Sequence, residues 1–238
     1  MKKNLKRILI KKKQKIIIDR IYEKMARAII ESYYRPLAEE FASDLKYNTI
    51  LDLGTGPGYL PIEIANICPS VTVDGIDISR NFINMARENT VKAGVADRVH
   101  FEVGDIRNLQ LEDSSYGMII GTGVVELLLE SPQVFNDCYD ALKPGGKMWL
   151  FGPVGISQED KKKWKAFLTL YERLFCRLFL FFHRVRSSRS SSMHDKEDAT
   201  KIISATKFKK YWVVEEGVGL GILLEKQRDN YARGRRTE

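Results

Sequence analysis

Ile50-Leu51-Asp52-Leu53-Gly54-Thr55-Gly56-Pro57-Gly58-Tyr59 is the stretch on which the architecture turns. A short apolar run ends at an acid, and glycines at alternate positions then carry the chain into a helical pattern. Gly54 and Gly56 have no Cβ, so the backbone can take positive φ and approach a ligand closely. Pro57 costs little beside a helix start, where its missing N–H would be unpaired anyway. A dinucleotide fingerprint needs G-x-G-x-x-G, but here the third glycine comes one place early and Tyr59 stands at the fingerprint position. That spacing argues against NAD.

Outward from this turn, short apolar runs alternate with helical stretches. The runs are Ile50–Leu53, Val71–Ile76, Val99–Val103, Met118–Ile120 and Met148–Phe151, and helix candidates lie near 58–67, 80–93 and 132–142. Repeated strand, helix and strand at this spacing predicts an α/β fold, a Rossmann-like doubly wound and mostly parallel sheet. Residues 21–46 carry apolar positions three and four apart and read as helical. Residues 158–186 form an insertion whose aromatic stripe, Trp164, Leu168, Tyr171, Phe175, Leu178 and Phe182, steps by four and three. It predicts one long amphipathic helix or a helical pair. A further helix begins near His194, and Tyr211–Val214 and Gly221–Leu224 read as a closing strand pair.

The later strands end in acids of their own. Asp77 lies about 20 residues past the turn, where a carboxylate can accept both hydroxyls of a ribose. Gly104-Asp105-Ile106 closes the third strand with a carboxylate able to accept from an exocyclic amine. The glycine turn holds no arginine or lysine for a phosphate. Three acids in one crevice imply a ligand that contains adenosine and is not strongly anionic.

In these motifs the sequence resembles the class I S-adenosylmethionine-dependent methyltransferases. Asp52-x-Gly54-x-Gly56-x-Gly58 is similar to their first motif, and Asp77 to their ribose acid. Gly104-Asp105-Ile106 is similar to their adenine site, and Leu142-Lys143-Pro144-Gly145-Gly146 to their turn before the fifth strand. The resemblance runs from about residue 30 to 225 and implies a seven-stranded sheet with the last strand antiparallel, and S-adenosyl-L-methionine as cofactor. It implies that Asp52, Gly54, Thr55, Gly56 and Gly58 hold the methionine end, and Asp77 the ribose. Asp105 would take the adenine amine, Ile78 and Ile106 the adenine faces, with Gly121 bordering the methyl group. It also implies that Tyr33 and Tyr34 close over the methionine moiety. Gly117 stands where such enzymes usually carry an acid.

Net positive charge is confined to the ends. Of the net +8, residues 1–20 supply all of it, residues 226–238 add three, and the body between carries −3. The expected organisation is a basic arm (1–20), a methyltransferase domain (21–225) with a helical lid insertion at about 156–192, and a basic tail (226–238). Three scattered cysteines, Cys68, Cys138 and Cys176, exclude a disulfide framework or a CxxC zinc site and suit a reducing cytoplasm. No metal is expected. No signal peptide is legible, and the most apolar run, Leu174–Phe182, is broken by Arg177 and is far short of the ~18 to 20 residues a bilayer needs.

Methyl transfer from a sulfonium is an in-line displacement, so positioning is the main task and a base serves only if the acceptor must lose a proton. Glu126, in the loop after the fourth strand, is the candidate catalytic residue, and His183 and His194 would reach the pocket from the insertion side. The Asn/Asp-Pro-Pro-aromatic motif of many amine and nucleobase methyltransferases is missing, which turns the reading away from nucleic acid. The aromatic insertion suggests a small, hydrophobic acceptor, with peripheral membrane contact through the arm and the insertion. The alternatives are an RNA or protein methyltransferase that uses the basic arm, and a non-catalytic protein that binds S-adenosylmethionine.

Overall fold

In a computed structural model, residues 19–153, 194–216 and 219–228 are described. The aromatic insertion, His183 and residues 1–18 of the basic arm lie outside them. Helix α1 covers residues 19–28, a π-helical turn covers Ile30–Tyr34, and α2 covers Arg35–Ser43. Then follow β1 (Thr49–Leu53), α3 (Tyr59–Ile67), β2 (Thr72–Asp77), α4 (Arg80–Ala93), β3 (Val99–Val103) and β4 (Tyr116–Thr122). The chain continues through α5 (Val125–Leu129), α6 (Gln133–Ala141), β5 (Leu142–Pro153), α7 (Lys196–Ser204), β6 (Lys210–Glu216) and β7 (Gly219–Glu225).

The seven strands form one sheet in the order β3-β2-β1-β4-β5-β7-β6. β1, β2, β3, β4 and β5 pair in parallel, and β7 runs antiparallel between β5 and β6. The expected Rossmann-like sheet is therefore present, with its single reversed strand placed last in the chain. The order reverses at β1, whose neighbours are β2 and β4, so the ends of β1 and β4 open a crevice at the carboxyl edge.

Alternation within the strands explains why both faces are covered. Ile50, Met118 and Ile120 pack on one face with Phe41, Ile64, Ile83 and Phe101 of or beside α2, α3 and α4. Leu51, Leu53 and Ile119 pack on the other with Leu128, Phe135, Ile203 and Phe208. A parallel sheet buried on both faces needs near-continuous apolar strands, which is what β1 and β4 provide.

The leading helical stretch is not continuous. Pro36 has no N–H to give the carbonyl four residues back, and the chain widens just before it: Tyr34 donates to the Ile29 carbonyl, five residues back, at 3.3 Å. The turn sets Tyr33 and Tyr34 side by side, ring centres 5.2 Å apart. At the other end, the fold holds on to the first residue of the expected tail. Lys226 exchanges backbone hydrogen bonds with Gly145 and Gly146 and donates from Nζ to the Asp140 and Leu142 carbonyls.

Candidate active site

The glycine turn is shaped by three positive φ angles: 74° at Gly54, 56° at Gly56 and 81° at Gly58. L-residues with a Cβ adopt this region at a cost, and there is no room for one at either end of the turn. A Cβ on Gly58 would lie 2.7 Å from the Phe101 ring and 2.9 Å from Ala86 Cβ, and one on Gly54 would strike Val124. The turn is tied to the second strand, with Gly54 N and Thr55 N donating to the Ile76 carbonyl at 2.8 and 3.0 Å. Gly56 N donates to Asp77 Oδ2 at 3.1 Å, which brings the first two motifs into direct contact.

Asp77 is buried at the end of β2, and its Oδ1 accepts from Ser79 N at 2.8 Å. Ser79 in turn caps α4, its hydroxyl accepting from Phe82 N. Asp19 of α1 accepts from Asn81 at 3.0 Å and from the Ser79 hydroxyl at 3.3 Å, so the first helix is anchored at the same strand end. Neither Ser79 nor Asp19 was among the expected site residues; Ser79, three residues before Phe82, carried the N-cap signal that would have found it.

Asp52 is buried on β1, and its carboxyl pKa is pushed up to about 7. Burial is the main cause; the nearby Thr55 hydroxyl pulls downward and the Asp77 charge adds a smaller rise. Thr55 Oγ1 is itself buried without a hydrogen bond of good geometry. Tyr34 stacks near Tyr59, and burial raises its phenol well above its ordinary range, with Tyr22, Tyr33 and Asp52 adding to the rise. Tyr22 lies over Gly56, where a Cβ would meet its ring at 3.8 Å.

The adenine end differs from expectation in one respect. Asp105 is held by Arg107, which donates from Nε at 2.9 Å, from Nη2 at 2.5 Å and from its backbone N at 3.0 Å. These hydrogen bonds hold its carboxyl below the usual carboxylate range. An exocyclic amine would share or displace that fork. Ile78 is 54% exposed, an unusual position for isoleucine, while Ile106 is buried in the core. Ile78 therefore offers an open apolar face beside the Asp77 carboxylate, and Ile106 backs the strand end from inside.

At the end of β4, Gly121 leaves no room for a side chain, since a Cβ would lie 2.8 Å from Val124 and 3.0 Å from Leu150. Val124 is the N-cap of α5 and also abuts Gly54, so α5 begins against the glycine turn. Glu126, in the first turn of α5, is 6% exposed. Its Oε2 accepts from His194 N at 3.3 Å and lies 3.0 Å from His194 Nδ1. The candidate acid thus has a histidine partner from 68 residues away, and His194 is fixed just before α7 by the Asp195 cap. Neither residue type alone signalled that pairing.

Opposite the crevice, at the start of β4, Gly117 is explained by packing. A Cβ there would collide with Tyr47, whose hydroxyl donates to the Pro144 carbonyl at 2.9 Å.

Taken together, these residues fit S-adenosylmethionine. Among the described residues the buried Asp52 has no paired cation and the Thr55 hydroxyl no hydrogen bond of good geometry, Ile78 presents an apolar face, and the glycine turn has no cation that would call for a phosphate. Among the described residues no cluster of His, Cys, Asp and Glu could hold a metal, and no helix is long and apolar enough to cross a membrane.

Comparison with known proteins agrees with the geometry. Residues 44–217 match a family described as a methyltransferase domain. The arsenite methyltransferase of Halobacterium salinarum is 37% identical over 109 residues, which cover 45% of this chain and 28% of that protein. The ubiquinone/menaquinone biosynthesis C-methyltransferase UbiE of Geotalea daltonii is 29% identical over 100 residues, 42% of this chain and 43% of that one. The chain thus spans less than half the length of these curated relatives. Among solved structures, phosphoethanolamine N-methyltransferase 2 of Haemonchus contortus, in complex with S-adenosyl-L-methionine, shares the fold with a TM-score of 0.60 at 16% identity, over 81% of this chain and 53% of that one. With the family match spanning most of the chain and the strand-end acids in place, the chain belongs to the class I S-adenosylmethionine-dependent methyltransferases.

Proposed function

We propose that this methyltransferase acts on a small, hydrophobic acceptor. The observation that carries the reading is an aromatic wall at the carboxyl edge of the sheet. Phe151, 42% exposed at the end of β5, lies 6.4 Å from the ring of Tyr33, which in turn contacts Tyr34. Gly123 N donates to the Phe151 carbonyl at 2.7 Å, so this wall stands directly beside the loop that leads into α5. Phe151 is the exposed member, with Tyr33 half-buried and Tyr34 buried behind it, and exposed aromatic surface next to convergent polar groups is how pockets for apolar small molecules are built. The names of the arsenite, quinone-biosynthesis and phosphoethanolamine relatives also speak of small acceptors.

In this reading Asp52 pairs with the cofactor's ammonium, and Gly54, Thr55, Gly56 and Gly58 wrap the methionine end. Asp77 accepts from the ribose hydroxyls, Asp105 from the adenine amine, and Ile78 covers the purine with Ile106 backing it from the core side, while Gly121 lets Val124 and Leu150 close on the strand end beside the methyl group. S-adenosylmethionine supplies an electrophilic methyl group on a sulfonium. The protein's share is to hold the acceptor atom ~3 to 3.5 Å from that carbon and to keep water out.

Incubation with methyl-labelled S-adenosylmethionine and a lysate of the source cells, followed by separation of organic-soluble, polar, nucleic-acid and protein fractions, tests the reading. Label in the organic phase is the expected result. Label in RNA or protein would overturn it in favour of a macromolecular acceptor met by the basic arm.

A further inference from the structure

We propose that His194 takes a proton from the methylated atom and that Glu126 positions it, so that the acceptor is a molecule with an O–H or N–H group to lose. The inference rests on the reading of the strand-end crevice as the place of methyl transfer.

Three observations converge on this pair. A carboxylate only accepts, so the 3.0 Å contact to Glu126 Oε2 places the proton on His194 Nδ1. In the neutral ring Nε2 is then the lone-pair acceptor, and it has no hydrogen-bond partner among the described residues. This is the tautomer a general base requires, selected by the carboxylate behind it.

The second observation is that Glu126 is only half satisfied. Its Oε2 receives two donors, the His194 backbone and ring, while its buried Oε1 receives none among the described residues. A carboxylate kept only for stability would be paired at both oxygens, because an unmet buried acceptor is costly. An orphan oxygen here matches a donor that arrives with the substrate.

The third is place. α5 starts against Gly54 and Gly121 through Val124, so Glu126 stands two residues from the glycine turn's own wall. His194 joins it from the far side of the insertion, and its main chain is fixed by both the Glu126 bond and the Asp195 cap that starts α7.

The step balances simply. The acceptor's lone pair forms the bond to the methyl carbon, and the electrons of the broken carbon–sulfur bond remain on sulfur. The acceptor's proton passes to His194 Nε2, and the imidazolium is stabilised by Glu126 until water removes the proton. Glu126 does not touch the acceptor's reacting atom through Oε2, so its role is positioning.

Full-length wild type, Glu126→Gln, His194→Gln and His194→Ala would be assayed for label transfer from methyl-labelled S-adenosylmethionine to the cell fraction that wild type labels. S-adenosylhomocysteine affinity would be measured by calorimetry, and the His194 ring nitrogens by NMR. The expected result is a loss of kcat of about 100-fold or more in all three variants. Cofactor affinity should stay within about threefold in all three variants and KM within about threefold in the two His194 variants, and added imidazole should restore His194→Ala by about tenfold or more. NMR should show Nδ1–H in wild type and a mixed tautomer in Glu126→Gln. Unchanged turnover in the variants, loss without imidazole rescue, or a labelled atom that bore no proton would each overturn the proposal. Which fraction carries the label tests the acceptor reading separately.

Discussion

Asp52 shows how one buried carboxyl links folding to ligand binding. It ionises at about 4 in an unfolded chain but at about 7 in the fold, because burial disfavours its charged form. Between those values the folded protein keeps a proton that the unfolded chain has lost, so stability falls as pH rises through that window. Below it there is no penalty; above it the penalty is complete, on the order of 4 kcal/mol. Asp52→Asn removes the titration, and urea unfolding at about pH 5 and about pH 8 should show a much flatter dependence than wild type. An ammonium beside Asp52 reverses the preference. S-adenosylhomocysteine should therefore bind more tightly as pH rises from about 5 to 7 and expel a proton on binding. Calorimetry in buffers of different ionisation enthalpy reads that proton directly, and the same release from Asp52→Asn would show that another group titrates. At this scale the position of each acid near a strand end is legible in the sequence, because Asp52, Asp77 and Asp105 stand at or within two residues of the end of an apolar run. It did not disclose Arg107 on Asp105, which is a local ion pair between exposed side chains, or His194 on Glu126, a contact across 68 residues.

At the scale of elements, periodicity was legible wherever an element buries one stripe or two faces. α3, α4 and α6 fall within a residue or so of the helices read at 58–67, 80–93 and 132–142, and the strands lie on the apolar runs. The leading helix was read through its break, because apolar spacing continues past Ile29 and Arg35-Pro36 while the hydrogen bonding widens from four residues to five over Ile30–Tyr34. Gly117 is a second case in which packing decides. Sequence alone offered no reason for a glycine at the start of an apolar strand, whereas the structure sets Tyr47 against it. Gly117→Ala should cost about 1 to 3 kcal/mol in denaturant unfolding, the usual effect of forcing a methyl into filled space. Since Gly117 is at the amino end of β4, remote from the glycine turn, S-adenosylhomocysteine affinity should stay within about twofold of wild type. Wild-type stability in this variant would mean that the Tyr47 ring, with its bond to the Pro144 carbonyl, swings aside at no cost.

For the molecule as a whole, the parallel pairing follows from the chain's alternation and the right-handed rule for parallel crossovers, the reversal of the last strand came through resemblance, and the placement of β7 between β5 and β6 was seen only in the structure. Pocket shape was the least legible property, since it depends on contacts between α1, the π-turn, α5 and β5 that no single motif encodes. Net charge, by contrast, is read directly. Residues 1–18 hold eight cations and no anion, while the body is slightly acidic. A protein that engages phosphates with such a segment loses affinity steeply with salt, roughly in proportion to the number of contacts on a log scale. An apolar acceptor behind an aromatic wall feels almost none of this. Removing residues 1–18 leaves Asp19 to its bonds with Ser79 and Asn81, so the truncated chain should bind S-adenosylhomocysteine as wild type does. Its turnover of the organic-soluble acceptor should stay within about twofold and change little between about 50 and 200 mM salt, the interval over which phosphate contacts show themselves. Turnover that collapses on truncation and falls steeply with salt in the full chain would instead make the arm part of the substrate site and the acceptor a polyanion.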